Sequence, residues 1–230
     1  MARDTKVETT IRSVAVPIDR QSLPGDLGMP TDPYGIVLFV HGSGSSRHSP
    51  RNQYVARTLE QRHLGTLLID LLTPEEEAID DRTAEYRFDI PMLARRVVAI
   101  VDWLRLRKET ASLPIGLFGA STGGGAALIA AAERPREIAA VVSRGGRPDL
   151  ADAALPKVIT PTLLIVGGFD APVIKMNRDA MKQMRGQVKL EIVPGATHLF
   201  EEPGTLERVA ALAGTWFAQY LHAPVTTRRA

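Results

Sequence analysis

The sequence predicts an α/β protein with an open, mostly parallel sheet. Short apolar runs at residues 35–40, 115–118 and 162–166 are typical of parallel strands that are buried on both faces. Segments with helical spacing separate these runs, as in the apolar stripe within residues 93–104. This alternation of strand and helix favours a central sheet covered by helices.

Composition excludes several classes of protein. The 230 residues are 44% hydrophobic and 23% charged, as in an ordinary globular protein. The absence of cysteine excludes disulfides and a thiolate nucleophile. The formal net charge of +2, with basic and acidic residues interleaved, does not favour nucleic-acid binding. Because no leader-like or membrane-spanning apolar run is present, we expect a cytoplasmic protein with no membrane partner.

The N-terminal segments predict little regular structure. Residues 7–18 alternate loosely between apolar and polar, which indicates an edge strand with a bulge near Arg12 and Ser13. Residues 21–33 are rich in Gly and Pro and predict a turn region with at most one short strand. We expect neither segment to carry chemistry.

Two buried strands and a helix follow. The apolar runs at residues 35–40 and 65–72 predict the strands. Between them, Ser49 and Pro50 supply an N-cap and the first position of a helix that extends to His63.

An acidic segment, residues 74–89, precedes the next helix. It contains few large apolar groups and predicts a solvated loop, which is also a candidate flap over the site. Asp89 can cap the following helix, whose arginines, including Arg96, are expected to face solvent.

The C-terminal part predicts strands at residues 138–142 and 188–193. Helices are expected at 173–185 and at about 205–221. The gap at residues 150–161 is too short for a helical cap domain. We therefore expect one domain over residues 1–222 and a flexible tail over residues 223–230.

A serine stands where a buried strand turns sharply into a helix. Gly119 and Gly123 lie two residues before and after Ser121, where a Cβ would crowd the neighbouring backbone. Such a turn raises the hydroxyl above the sheet edge and directs the helix's first N–H groups toward it. The pattern predicts a nucleophile at Ser121.

An acid and a histidine follow in the order that such a nucleophile needs. Asp170 comes just after the strand at 162–168, and His198 follows the strand at 188–193. His198 can take the serine proton, and Asp170 can fix the imidazole tautomer. Asp149 also follows a strand and is the alternative acid.

Backbone donors for an oxyanion are expected at Ser43 and Thr122. Ser43 lies in the Gly-rich loop after the first buried strand, where we interpret His41 as structural. Candidate substrate contacts stand in loops at the same edge, although a structural or solvated role is the simpler alternative for each arginine. They are Arg47, Arg51, Arg144, Arg147 and Phe169. We expect no cofactor and no metal, since no element carries ligand spacing.

Four motifs together resemble the α/β-hydrolase superfamily over nearly the whole chain. They are His41-Gly42-Ser43-Gly44, Gly119-Ala120-Ser121-Thr122-Gly123, Gly168-Phe169-Asp170 and Gly195-Ala196-Thr197-His198. The chain is most similar to lidless bacterial proteins of the dienelactone hydrolase type.

This resemblance implies an eight-stranded, mostly parallel sheet with flanking helices and no cap domain. It also implies hydrolysis of a carboxylic ester through an acyl-serine. The absence of a cap favours small esters, and the loop arginines are candidates to hold an anionic group on the substrate. Ser121 replaces the cysteine of dienelactone hydrolases proper, which weakens the case for a lactone substrate. Some relatives carry a fused phosphoribosyltransferase-like domain, which we do not expect here. We expect a monomer or homodimer.

Two other classes of function stay open. The same triad serves thioesterases, acyltransferases, lactonases and amidases. A non-catalytic binding module on the same fold is the second alternative.

Overall fold

Eight strands form one sheet in the computed structural model, which describes residues 7–222. The strands are β1 (Thr9–Ile18), β2 (Gln21–Pro30), β3 (Gly35–Val40), β4 (Leu64–Ile69), β5 (Ile115–Ala120), β6 (Ile138–Arg144), β7 (Thr162–Gly167) and β8 (Val188–Val193). The helices are α1 (Pro50–Glu60), α2 (Pro74–Thr83), α3 (Ile90–Leu106), α4 (Thr122–Glu133), α5 (Ala171–Met181) and α6 (Thr205–Leu221). A 3-10 helix covers Pro148–Lys157. The expected tail at 223–230 lies outside the described residues.

The strand order β1-β2-β4-β3-β5-β6-β7-β8 brings the strands that precede the candidate site together. β2 pairs antiparallel with β1 and β4, and every pair from β4 to β8 is parallel. In register, Val40 faces Gly119 and Ala120 faces Arg144. The loops after β3, β5 and β6 therefore leave the same edge side by side.

Apolar side chains fill both faces of the sheet. Along β3, Ile36 and Leu38 belong to a core under α3 and α4, whereas Val37 and Phe39 belong to a core under α1 and α6. This alternation follows from the two-residue period of a strand. The predicted fold class is confirmed, and residues 7–222 contain no separate cap domain.

The prediction for the N-terminal segments was wrong in two respects. β2 is a full strand, and its register with β1 runs without interruption, so there is no bulge at Arg12 and Ser13. The glycines of β2 serve close packing, since a Cβ on Gly28 would lie 2.6 Å from Glu60 Oε1. Leu23 and Leu27, also on β2, are fully buried and belong to the core.

The acidic segment was also mispredicted. Residues 74–83 form α2, which begins with a capping box between Thr73 and Glu76. Arg96 does not simply face solvent, because it donates to both carboxylate oxygens of Glu76 and to the Leu71 carbonyl. These contacts join α2 to α3.

Both C-terminal helices, α5 and α6, form where the sequence predicts them. α6 has the predicted bounds, while α5 stops four residues before Arg185. Within residues 7–222, none of the helices has the length and apolar character that crossing a bilayer requires.

Candidate active site

A cleft of about 520 Å³ opens at the carboxyl ends of β3, β5 and β6. Ligands commonly bind at this edge of an open α/β sheet. Its lining combines the glycine- and serine-rich loop after β3 with groups from the other strands, namely Gly42–Ser46, His48–Arg51, Ala120, Ser121, Arg144, His198 and Leu199.

Ser121 occupies a strained turn between β5 and α4. Its φ of 50° and ψ of −124° are unusual for a residue with a side chain. Three backbone hydrogen bonds hold it: its N–H donates to the Arg144 carbonyl (3.2 Å), and its carbonyl accepts from Gly124 and Arg147 (both 3.0 Å). The turn is fixed, and the serine lines the cleft.

The two flanking glycines are required sterically, as predicted. A Cβ on Gly119 would lie 2.7 Å from the Cα of Gly124. A Cβ on Gly123 would come within 3.0 Å of the carbonyl oxygens of Val40 and His41. The serine turn therefore packs directly against β3 and the start of the following loop.

His198 and Asp170 are joined by a hydrogen bond of 2.6 Å between Nδ1 and Oδ2. Because a carboxylate only accepts, Nδ1 carries the proton and Nε2 keeps its lone pair. Gly145 packs against the ring, since a Cβ there would lie 3.4 Å from Cε1. In the described part of the chain no hydrogen bond joins Ser121 to His198, although both line the cleft.

Asp149, the alternative acid, is bound elsewhere. Its carboxylate accepts from Arg147 Nε at 2.9 Å and from Nη2 at 2.7 Å. The structure thus brings Asp170, and not Asp149, to His198.

Three of the candidate substrate contacts do not line the cleft. Arg47 is paired with Asp70 and Asp26, and Arg147 is paired with Asp149. Phe169 is 72% exposed and lies outside the cleft lining. Arg47 is thus held by acids distant in sequence, and Arg147 by an acid two residues along the chain.

Arg144 does line the cleft, and its environment is unusual. The residue is only 7% exposed, and its Nε and Nη1 atoms have no hydrogen-bond partner within the described chain. Its guanidinium carbon lies 6.0 Å from the centre of the Phe200 ring. Burial and the nearby charge of Arg51 lower the pKa of Arg144 to about 10. It remains charged at neutral pH.

Arg51 is the second arginine of the cleft lining. Its Nη1 donates to Glu201 Oε1 at 3.1 Å, and its Nε is buried without a partner among residues 7–222. The cleft therefore holds two neighbouring guanidinium groups, one of which has no acidic partner there.

The loop after β3 is held in place by His41, as the structural interpretation predicted. The Leu71 N–H donates to Nε2 at 3.0 Å, which leaves the proton on Nδ1 to be donated to the Gly42 carbonyl at 2.9 Å. Burial lowers the pKa of His41, which favours this neutral state.

The two expected oxyanion donors have different environments. Thr122 begins α4, so its N–H has no acceptor within the helix. The Ser43 N–H is engaged, because it donates to the Thr122 side-chain oxygen Oγ1 at 2.8 Å. Sequence alone gave no sign of this contact between two loops.

Within residues 7–222, no group of three or more His, Asp or Glu side chains has a metal-binding arrangement. The chemistry that the described site offers is therefore that of a serine, an imidazole, a carboxylate and two guanidinium groups.

The sequence profile of the dienelactone hydrolase family matches residues 56–220. The chain belongs to the dienelactone hydrolase family. A crystal structure of dienelactone hydrolase from Anabaena variabilis is 60% identical, with a TM-score of 0.91, over 93% of this chain and 99% of that one. Est1E from Butyrivibrio proteoclasticus is 18% identical and shares the fold, with a TM-score of 0.75 over 90% of this chain and 98% of that one.

Two curated relatives come from strains of Mycobacterium tuberculosis. Each is 52% identical over 225 residues, and each is provisionally named a phosphoribosyl transferase. The match covers 97% of this chain, which spans about half the length of these relatives (50%). The matched family and the 60% identical structure agree in assigning the chain to the dienelactone hydrolase family.

Proposed function

We propose that the protein hydrolyses small carboxylic esters through an acyl-serine intermediate on Ser121. The observation that carries this proposal is the 2.6 Å bond between Asp170 and His198, beside a cleft that Ser121 also lines. A serine hydroxyl needs a base at neutral pH, and an imidazole oriented by a carboxylate is the usual one.

The reaction proceeds in two halves. His198 Nε2 takes the Ser121 proton while Oγ attacks the ester carbon, and the carbonyl electron pair moves onto oxygen. The tetrahedral intermediate collapses, the C–O bond to the alcohol breaks, and His198 returns the proton to the leaving oxygen. Water then repeats the sequence on the acyl-serine and releases the acid. In both halves Asp170 stabilises the imidazolium.

In the resting site no hydrogen bond joins Ser121 to His198 among the described residues. Catalytic hydrogen bonds are often long in unliganded enzymes and tighten in the substrate complex. Proton transfer therefore requires a small approach of the imidazole to the hydroxyl when substrate binds.

We further propose that the ester substrate carries a negative charge on its acyl part. Arg144 supports this, because it is a buried cation at the cleft with unpaired donors. A carboxylate or phosphate group in the cleft would neutralise the charge of this guanidinium. The open cleft favours short acyl chains.

Lactone hydrolysis is the second candidate function. It is favoured by 60% identity to the dienelactone hydrolase from Anabaena variabilis. A lactone is a cyclic ester, so the same steps apply, except that the alcohol stays attached to the product. Separate assays with a lactone and an open-chain ester distinguish the two.

Labelling with a fluorophosphonate tests the proposal. Intact mass should show one adduct that maps to Ser121 on the wild type. The adduct should disappear in Ser121→Ala and form far more slowly in His198→Ala. Ser22→Ala, a change at an exposed position on β2, is the matched control and should label normally. A wild type that resists labelling while a known serine hydrolase reacts would refute the proposed nucleophile.

A further inference from the structure

One of the two expected oxyanion donors is already engaged. A backbone amide has one hydrogen to share. In Ser43 this N–H makes a hydrogen bond to Thr122 Oγ1, with 2.8 Å between nitrogen and oxygen. The Thr122 hydroxyl accepts that bond through a lone pair and keeps its own proton. Within residues 7–222, no side chain or carbonyl accepts the proton of this hydroxyl.

We propose that the Thr122 hydroxyl, and not the Ser43 N–H, is the second donor to the oxyanion. This inference rests on the proposed ester hydrolysis. Both donors then belong to one residue, the backbone N–H and the side-chain O–H of Thr122. Ser43 acts through Thr122, because a hydroxyl that accepts a hydrogen bond becomes a stronger donor.

The alternative is that Thr122 leaves and exposes the Ser43 N–H, and packing opposes this. Thr122 is 5% exposed in the first turn of α4, where a β-branched side chain has few rotamers. A Cβ on Gly42 would lie 2.8 Å from the Cβ of Ser121, so the loop and the serine turn are already in close contact.

The partner loop is fixed as well. His41 ties it to the Leu71 N–H and to the Gly42 carbonyl. Separating Ser43 from Thr122 would require movement of packed groups, whereas the hydroxyl proton is free to reorient by rotation about one C–O bond. No proton is transferred in this step. The hydroxyl only donates a hydrogen bond to the oxygen that gains the carbonyl electron pair.

Three substitutions at Thr122 separate the alternatives. In Thr122→Val a methyl group replaces Oγ1 and still covers the Ser43 N–H. Loss of one oxyanion donor typically lowers kcat by about 100- to 1000-fold, which is the expected effect, with KM little changed. Thr122→Ala uncovers the Ser43 N–H, and kcat should still fall at least tenfold. Thr122→Ser restores a hydroxyl and should recover most of the loss.

The matched control is Thr162→Val. Thr162 is also fully buried, and its Oγ1 donates to the Thr160 carbonyl at 2.9 Å, at the opposite end of a strand from the site. This variant should keep wild-type kcat. Thermal unfolding of each variant identifies any loss of rate that comes from a loss of fold.

A boronic acid that forms a tetrahedral adduct with Ser121 gives an independent readout. Its affinity should fall in parallel with kcat across the Thr122 series, because the adduct oxygen mimics the oxyanion. If Thr122→Ala is as fast as wild type, Ser43 is the direct donor, and if Thr122→Val is as fast as wild type, the Thr122 hydroxyl is not a donor. Either result overturns this inference and leaves the proposed function standing. If the wild type shows neither ester turnover nor labelling, the proposed function fails and the inference with it.

Discussion

Replacing Arg144 by Met should stabilise the protein while it impairs the reaction with anionic esters. Arg144 is buried in the cleft lining, and its Nε and Nη1 have no partner in the described chain. A charge without a partner is costly in a protein interior. Met has a similar length and is apolar, so it removes this cost without opening a large cavity.

The size of the effect follows from the pKa. Burial lowers the pKa of Arg144 from its usual value to about 10. At about 1.4 kcal/mol per pKa unit, holding the group charged costs roughly 3 kcal/mol. Contact with the Phe200 ring offsets part of this cost, so we expect Arg144→Met to raise the free energy of unfolding by about 1–2 kcal/mol.

The dependence on pH has a definite sign. Because the folded-state pKa lies below the unfolded value, the charged form is disfavoured by folding. The penalty on the free energy of unfolding is present in full well below pH 10 and is relieved only as pH rises above about 10. The full difference between wild type and variant is therefore present at pH 7.

Urea unfolding at pH 7 measures the stability, and a matched pair of esters measures the function. The pair differs only in whether a distal carboxylate is free or methylated. Arg144→Met should lose most of its kcat/KM for the anionic ester and little for the neutral one, and Arg144→Lys should fall between. Arg178→Met, at an exposed position on α5, is the control and should change stability by less than about 0.5 kcal/mol. If Arg144→Met is instead less stable than wild type by more than about 1 kcal/mol, the charge is compensated and the reasoning fails.

Three further changes have defined outcomes. Asp170→Asn should lower kcat by about 10⁴-fold through the wrong imidazole tautomer, while Asp149→Asn should stay near wild type in the same esterase assay; the reverse result would exchange their roles. Gly123→Ala should cost more than about 3 kcal/mol in urea unfolding, because the new Cβ meets two backbone carbonyls. The control Gly204→Ala, with a φ of 81° and open space, should cost only about 1–2 kcal/mol, and equal costs would refute the steric argument. Although burial raises the pKa of Asp80, hydrogen bonds from the following loop outweigh this and leave it below its usual value. The stability that Asp80 contributes should be lost as pH falls below about 4, and stability against pH should be flatter for Asp80→Asn; an unchanged slope would contradict this.

Local sequence determined the elements of the serine turn. Gly119 and Gly123 are dictated by contacts within a few residues of Ser121 and with the adjacent β3, and their spacing alone reveals the turn. The positions of Asp170 and His198 just after predicted strands were likewise visible, because parallel strands bring their carboxyl ends to one edge. The 2.6 Å hydrogen bond between the two side chains agrees with this expectation that they meet at one sheet edge.

A missed signal explains the error at α2. Thr73 and Glu76 form a capping box, with Pro74 at the first helical position, and this signal is present in the sequence although the segment's acidic composition favours a solvated loop. The error at β2 has a different origin. Its glycines and prolines contradict strand propensity, and pairing with β1 and β4 overrides that propensity.

Tertiary structure alone decided which polar groups are available for chemistry. From the sequence, Arg47, Arg144 and Arg147 are equivalent. In the folded chain Arg47 pairs with Asp70, 23 residues away in sequence, and Arg147 pairs locally with Asp149. Among residues 7–222, Arg144 Nε and Nη1 have no partner. The engagement of Ser43 by Thr122 joins loops from two neighbouring strands. Sequence patterns report local periodicity and turn sterics, whereas ion pairs and hydrogen bonds between distant segments depend on strand order and register, which only the folded chain defines.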